Sequence, residues 1–271
     1  MAAVSTRTRT AAPGRAGNGL LGDIGAVFLR EMSLVLRDPF SVIFSLVQPL
    51  VFLALFGPLL AGSVDPAAIG GASPLQWFLP GVIVMICLFG TSTTGSNLLF
   101  EITVGSYERV LASPLHRSAI LIGKALKELA PLVVQAALIT LVSIPFGFRL
   151  YPVQVLVGLL ILGVFGVGMG AFSNALAIAS RKREWMFWGV QQSLLFPLLI
   201  LSGMMLPLEA GPRWIQVVGR FNPLTYIVDA ERALFAGSFS DPAIGWAALA
   251  AALTCATGLW VGVRQVARST T

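Results

Sequence analysis

The single histidine, His116, is the first place to look for chemistry, and it stands beside Arg117 outside any long apolar run. A Ser–His or Cys–His pair acting inside a membrane needs its histidine at depth. Cys87 and Cys255 lie in separate apolar runs with no histidine near either of them in sequence. Metal ligands come in clusters, which these spacings do not offer, so each cysteine reads as a small buried hydrophobe and neither implies a disulfide framework. A phosphate-cradling loop reads Gly-x-x-x-x-Gly-Lys-Ser/Thr. The one Gly-Lys pair, Gly123-Lys124, is followed by Ala125 and lacks the earlier glycine. The chain therefore carries no nucleotide loop and no catalytic pair, and reads as a protein that is not an enzyme and binds no cofactor itself.

Polar groups inside apolar runs are the second signal. Thr91, Ser92, Thr93, Thr94, Ser96 and Asn97 follow one another, and Trp185, Met186, Phe187 and Trp188 precede Gln191, Gln192 and Ser193. In hydrocarbon such groups prefer protein or water to lipid. One reading is hydrogen bonding between helices, worth about 0.6–2 kcal/mol per contact. The functional reading is a substrate path formed by Phe44, Phe52, Phe56, Thr94, Asn97, Trp188, Gln191 and Phe196. With no charge deep in these runs, that path favours amphiphilic or aromatic cargo over free ions. Gly163, Gly166, Gly170 and Asn174 read as close helix packing and not as a site.

The elements that must hold these residues follow from composition. Of 271 residues, 56% are apolar and 11% charged, with a mean hydropathy of +0.85. Soluble domains carry roughly a quarter charged residues, so a bilayer is the solvent that fits this chain. Stretches free of Asp, Glu, Lys and Arg predict six spans near 41–62, 79–100, 128–148, 152–179, 186–207 and 243–263. Each is long enough to cross roughly 30 Å of hydrocarbon. The fold class is all-α integral membrane, with one six-helix transmembrane domain over 41–263.

Six spans put both termini on one side. That side holds fourteen of the 18 Lys and Arg residues, and the other holds four. The positive-inside rule then places both termini in the cytoplasm, with the chain in the cell's inner (plasma) membrane. The charge of +6 needs no nucleic acid to explain it. Residues 1–19 form a Thr-, Arg-, Ala- and Gly-rich stretch that reads as a disordered tail rather than a cleavable signal. An acid-free, Arg-rich start also fits a transit peptide, although no amphipathic pattern accompanies it. Residues 264–271 read as a second cytoplasmic tail.

Residues 20–40 form an amphipathic stretch. Ile24, Phe28, Met32 and Val35 recur at helical spacing, opposite Asp23, Arg30, Ser33 and Arg37. Such a helix lies in the headgroup layer, or else simply extends the first span. Between the second and third spans, Glu101 to Lys124 divides at Ser113-Pro114. Tyr107, Val110 and Leu111 share a face before the break, and Ser113 suits an N-cap for a helix starting near Pro114. Two short helices at a bend make a cytoplasmic knob, either for a partner's groove or as an interfacial linker. Residues 208–241 on the outer side read as a re-entrant or interfacial hairpin broken at Asn222-Pro223, with Trp214, Val217 and Val218 before the break. The expectation sets Arg220, Asp229, Glu231 and Arg232 near the outer membrane surface.

The hairpin stretch from Asn222 and Pro223 through Tyr226, Asp229 and Arg232 to Gly237 resembles the late signature of type 2 permeases of ATP-binding-cassette (ABC) transporters. The order Glu101, Gly105, Glu108-Arg109, Ser113-Pro114, Gly123-Lys124 is similar to the same family's cytoplasmic pattern. The likeness covers nearly the whole chain after the tail and is nearest the drug-resistance branch, whose members export anthracyclines. Where that family usually has Gly-Thr before Glu, this chain has Gly105-Ser106-Tyr107-Glu108. The resemblance implies a coupling helix beginning near Pro114, seated in a cleft of a separate ATPase subunit. Leu115, His116 and Arg117 would be its contacts, with Glu101, Tyr107, Glu108 and Arg109 beside them. It further implies two ATPase copies that bind MgATP, a second permease subunit (a homodimer), and the first, second and fifth spans at the subunit interface. A permease for lipid-linked polysaccharide and a secondary transporter are the competing readings. The latter usually carries ionisable groups at mid-membrane.

Overall fold

The computed structural model describes residues 19–63, 73–111 and 115–268. Of the tails expected at 1–19 and 264–271, residues 1–18 and 269–271 lie outside the described residues, as does the Ser113-Pro114 break, while Gly19 opens α1 and 264–268 continue α11 as helix. Within them the chain is helical: α1 (Gly19–Arg37), α2 (Pro39–Ser63), α3 (Pro74–Thr103), α4 (Ser106–Leu111), α5 (Arg117–Lys127) and α6 (Leu129–Ser143) come first. Then follow α7 (Pro152–Ala179), α8 (Glu184–Ile200), α9 (Arg213–Gly219), α10 (Pro223–Phe235) and α11 (Pro242–Arg268). Proline opens α3, α7, α10 and α11, where its missing N–H leaves nothing unsatisfied. Ser73 caps α3 by accepting from the Gln76 N–H at 3.2 Å.

Four helical stretches, Pro74–Thr103, Arg117–Phe146, Pro152–Ala179 and Pro242–Arg268, are long and apolar enough to cross a membrane. They coincide with the second, third, fourth and sixth expected spans. The first expected span falls on α2, whose apolar run is Ile43–Leu59. The fifth falls on α8, which has 17 residues and ends at Ile200 rather than near 207. Its end is set by Ser202, whose hydroxyl donates to the Leu199 carbonyl at 2.7 Å and accepts from the Met204 N–H at 3.3 Å. Those local bonds replace the helical ladder and turn the chain.

α3 is the centre of the bundle. Every residue from Phe78 to Leu88 is buried, the mark of a helix surrounded by protein. α7 packs along it, with Gly166 seated against Cys87 and Gly163 against Leu129, as the small-residue spacing requires. α11 and α10 complete the layer on the other side, where Ile227, Ala230, Leu234 and Phe235 point inward.

Two expectations need correction. In α1 the side packed into the protein is Asp23, Val27 and Glu31, which puts Asp23 of the expected polar side inward, while Ile24, Phe28, Met32 and Val35 are half-buried. The acidic side faces α5 because α5 supplies the cations that match it. In the outer hairpin Glu231 is not at the surface: it is buried at 1% exposure against Gly158 of α7.

Candidate functional site

The knob between α3 and α6 is built by a short series of local decisions. Gly105 takes a φ of 70°, a conformation that side chains disfavour, and so lets the chain leave α3 and re-form as α4. Tyr107 and Val110 turn inward onto Leu98, Leu99 and Ile120, leaving Glu108 and Arg109 exposed. Leu115 is half-buried against the same cluster. α5 begins at Arg117 with His116 in the cap position, three residues later than the expected start near Pro114. The His116 side chain makes no cap bond of its own. Asp23 of α1 does that work instead: its Oδ2 accepts the His116 N–H at 2.9 Å and lies 2.7 Å from the ring Nδ1. The His116 backbone and ring beside Asp23 hold its carboxyl below the usual carboxylate range.

Gly123, half of the isolated Gly-Lys pair, is a seat for α1. A Cβ there would fall 2.7 Å from the Val27 side chain. That close approach brings Glu31 down onto α5. Lys124, 4% exposed, lies 3.1 Å from Glu31 and 2.6 Å from Glu101. Lys127 lies 3.6 Å from Glu31 and 3.7 Å from Glu128. Three carboxylates and two ammonium groups thus tie α1, α3, α5 and the start of α6 together. Charges so deeply placed are stable only when paired.

The same ion pairs form one end of a cavity of about 710 Å³ between α1, α2, α3, α6 and α8. Glu31, Asp38, Glu101, Lys127 and Glu128 line it, as do Thr93, Ser96, Gln135 and Gln192. The Gln135 amide donates to the Ser45 hydroxyl at 2.5 Å across its wall. Of the residues expected to form a path, Asn97, Trp188 and Gln191 lie on this wall. Thr94 is buried behind it, bonded to the Gly90 carbonyl. Phe52 and Phe56 stack at 5.1 Å, and Phe56 stacks on Phe78 at 5.9 Å, so both belong to the packing of α2 on α3. Phe44 and Phe196 are exposed and do not border this cavity. Glu31, Asp38 and Glu128 were missed, and Glu101 was read only as a coupling residue, because a span is read from the gaps between charges, which treats each charge as a boundary.

At the other end of the bundle the hairpin residues hold the loop after α8 in place. Asn222 caps α10 through the Leu224 N–H at 3.0 Å, and its amide donates to the Leu198 carbonyl at 2.8 Å. Pro223 supplies the first helical turn. The Tyr226 hydroxyl donates to the Arg220 carbonyl at 2.8 Å. Arg232 donates to the Gly203 and Met204 carbonyls at 2.8 and 3.2 Å, lies 3.6 Å over the Trp77 ring, and has Asp229 at 3.9 Å. These contacts join α10, the loop after α8 and the start of α3.

Residues 23–236 match the family described as ABC-2 type transporter. Among its relatives is the daunorubicin resistance ABC transporter permease protein DrrB1 of Streptomyces coeruleorubidus. It is 29% identical over 211 residues, covering 77% of this chain and 73% of that protein. A protein of Cyanophora paradoxa named as a transport permease, ycf38, is 30% identical over 204 residues, 74% of this chain and 70% of its own. One of Mycobacterium tuberculosis named as a doxorubicin resistance ABC transporter permease, DrrC, is 23% identical over 234 residues, 84% and 83% of the two chains. With its knob, its apolar helices up to α8 and the hairpin helices α9 and α10 inside the matched region, the chain belongs to the ABC-2 type transporter family as a membrane permease.

Proposed function

We propose that this chain is the permease subunit of an ATP-driven exporter that moves amphiphilic, drug-like compounds out of the cell. Two copies pair, six spans each with termini in the cytoplasm of the plasma membrane, and two separate ATPase chains bind MgATP and supply the energy. The observation that carries this reading is that Glu31, Glu101, Lys127 and Glu128 belong at once to the knob's ion pairs and to the cavity wall. Any displacement of α5 must therefore rearrange the charged end of the cavity. Glu108, Arg109, His116 and Arg117 present the exposed face on which an ATPase would dock. The names of the relatives, daunorubicin and doxorubicin resistance permeases, support a drug as cargo. A volume of about 710 Å³ suits a drug-sized compound, for which pockets run to roughly 300–1,000 Å³, better than a polysaccharide chain.

The test is doxorubicin uptake into inside-out vesicles holding this chain and its co-expressed ATPase. Uptake should require ATP and both chains. Uptake that persists without the ATPase, or that never occurs with it, overturns the reading.

A further inference from the structure

A second cavity, of about 490 Å³, lies on the other side of α8, between α3, α7, α8 and α11. Leu88, Met169, Phe172, Leu176 and Leu198 make most of its wall. Val190 and Leu194, 38% and 59% exposed, flank it on the outer surface of α8. Along α7 it reaches from Met169 to Ala179, at the cytoplasmic end of that helix. Those residues span about 15 Å, the depth of a single leaflet of hydrocarbon.

The two cavities share Thr91, Ser92, Gln191 and Leu195. The partition is thin. The Gln191 amide donates across it to the Ser92 carbonyl at 3.3 Å, and the Ser173 hydroxyl reaches the same oxygen at 3.4 Å. Gln191 Oε1 is buried there without a hydrogen-bond donor. Beyond the partition, the larger cavity is lined by four carboxylates, Glu31, Asp38, Glu101 and Glu128, and one ammonium group, Lys127. Lys124 lies outside the lining and pairs with Glu31 and Glu101. Glu101 gives one oxygen to Lys124, while its other, Oε2, is buried with no partner.

These features form a gradient: an apolar crevice open to one leaflet, then an unfilled acceptor in the partition, then a carboxylate-lined chamber with a second unfilled acceptor buried behind its wall. A molecule matched to that order has an apolar body and a head that donates hydrogen bonds and carries positive charge. We propose that the crevice between α7 and α8 is a membrane-side access site for cationic amphiphiles, whose ammonium head passes the Gln191–Ser92 contact into the carboxylate-lined cavity. Where such a molecule goes next rests on the export reading above; its binding in the crevice does not.

The experiment uses the full chain in phospholipid nanodiscs with an aryl-azide-bearing dodecylamine as photoprobe, mapping the labelled peptides. Saturable labelling of Met169–Ala179 and of the Gln191 segment is expected, displaced by plain dodecylamine and not by dodecanol. Gln191→Leu should lower it roughly threefold, as loss of one modest hydrogen bond does. Ala179→Trp, at an exposed position on the crevice wall, should lower labelling in the crevice and at Gln135 in the cavity together. Non-saturable labelling no stronger than on the exposed face of α6 would mean ordinary lipid contact and overturn the proposal. So would cavity labelling that survives Ala179→Trp, because the amine would then arrive from the cytosol. If the crevice labels saturably while doxorubicin uptake fails, the export reading falls and the site stands; uptake without crevice labelling sinks the site alone.

Discussion

The His116 backbone N–H meets the Asp23 carboxylate at 2.9 Å across 93 positions of sequence, so the first turn of α5 is capped by a residue of α1. An ionised carboxylate only accepts, so the ring Nδ1 at 2.7 Å carries the proton of the second bond. Asp23→Ala removes both. The amides of Ala119 and Ile120, which bond to the His116 carbonyl, should then exchange hydrogen on the order of fivefold faster. Amides in the middle of α11 should not change. Equal exchange in both proteins would show that the cap is not needed to start α5.

The same clasp has a pH dependence whose sign is fixed. The Asp23 carboxyl is held below its usual range, first by the His116 backbone bond and then by the ring. Its contribution is therefore fully present above the ordinary carboxyl value of about 3.9 and is lost as pH falls through the lowered one. Corrected for intrinsic chemistry, exchange at Ala119 and Ile120 should stay level from about pH 8 down to about 5 and rise only below about pH 4. In Asp23→Asn the rise should be absent.

Lys124 is the cation on which α1 and α3 converge. Lys124→Met strands Glu31 and Glu101 beside each other with only Lys127 near the former. Breaking a buried pair from one side typically costs about 3–5 kcal/mol, or roughly 10 °C in thermal midpoint for a chain of this size. Adding Glu101→Gln should recover part of the loss. A thermal midpoint equal to wild type in the single variant would mean that water already screens the cluster.

What the sequence made legible divides along physical lines. The long apolar helices are local facts, written in the absence of charge over some twenty residues, and four of them stand where that pattern puts them. Asn222-Pro223 is local too, and its cap is where the two residue types require it. The faces of α1 were not legible: Asp23, Val27 and Glu31 sit at four-residue spacing in plain view. What makes that stripe the buried one is Gly123, Lys124 and His116, which only the tertiary fold brings close. The stacking of Phe52 and Phe56 was not legible for a related reason: an aromatic ring in a span meets its partner, here Phe78, only in the tertiary fold.

Leu115 and Glu108 separate docking from folding in the knob. Leu115 is half-buried among Tyr107, Val110 and Ile120, so Leu115→Asp should lower the thermal midpoint of the permease alone. Glu108 is exposed, and Glu108→Arg should leave that midpoint within about 1–2 °C, as surface changes do. It should nonetheless reduce co-purification of the ATPase and the ATP turnover of the complex. Normal turnover with Glu108→Arg would move the docking face away from α4.

Gly158 and Glu231 test how rigidly the outer hairpin is held. A Cβ on Gly158 would fall 3.0 Å from Cδ of Glu231, and neither carboxylate oxygen has a hydrogen-bond partner. Among the described residues no ion pair anchors that carboxyl group, so its position is set by packing between α7 and α10. Gly158→Ala should overpack the contact and destabilise the protein by about 1–3 kcal/mol. Glu231→Asp withdraws the carboxylate by one methylene, so the double variant should regain most of the loss. That non-additivity, read from thermal midpoints of all four proteins, is the expected signature of direct contact. Additive losses would mean that the Glu231 side chain can swing aside and that α10 tolerates a wider gap from α7, leaving Arg232 and Asn222 as what fixes the hairpin.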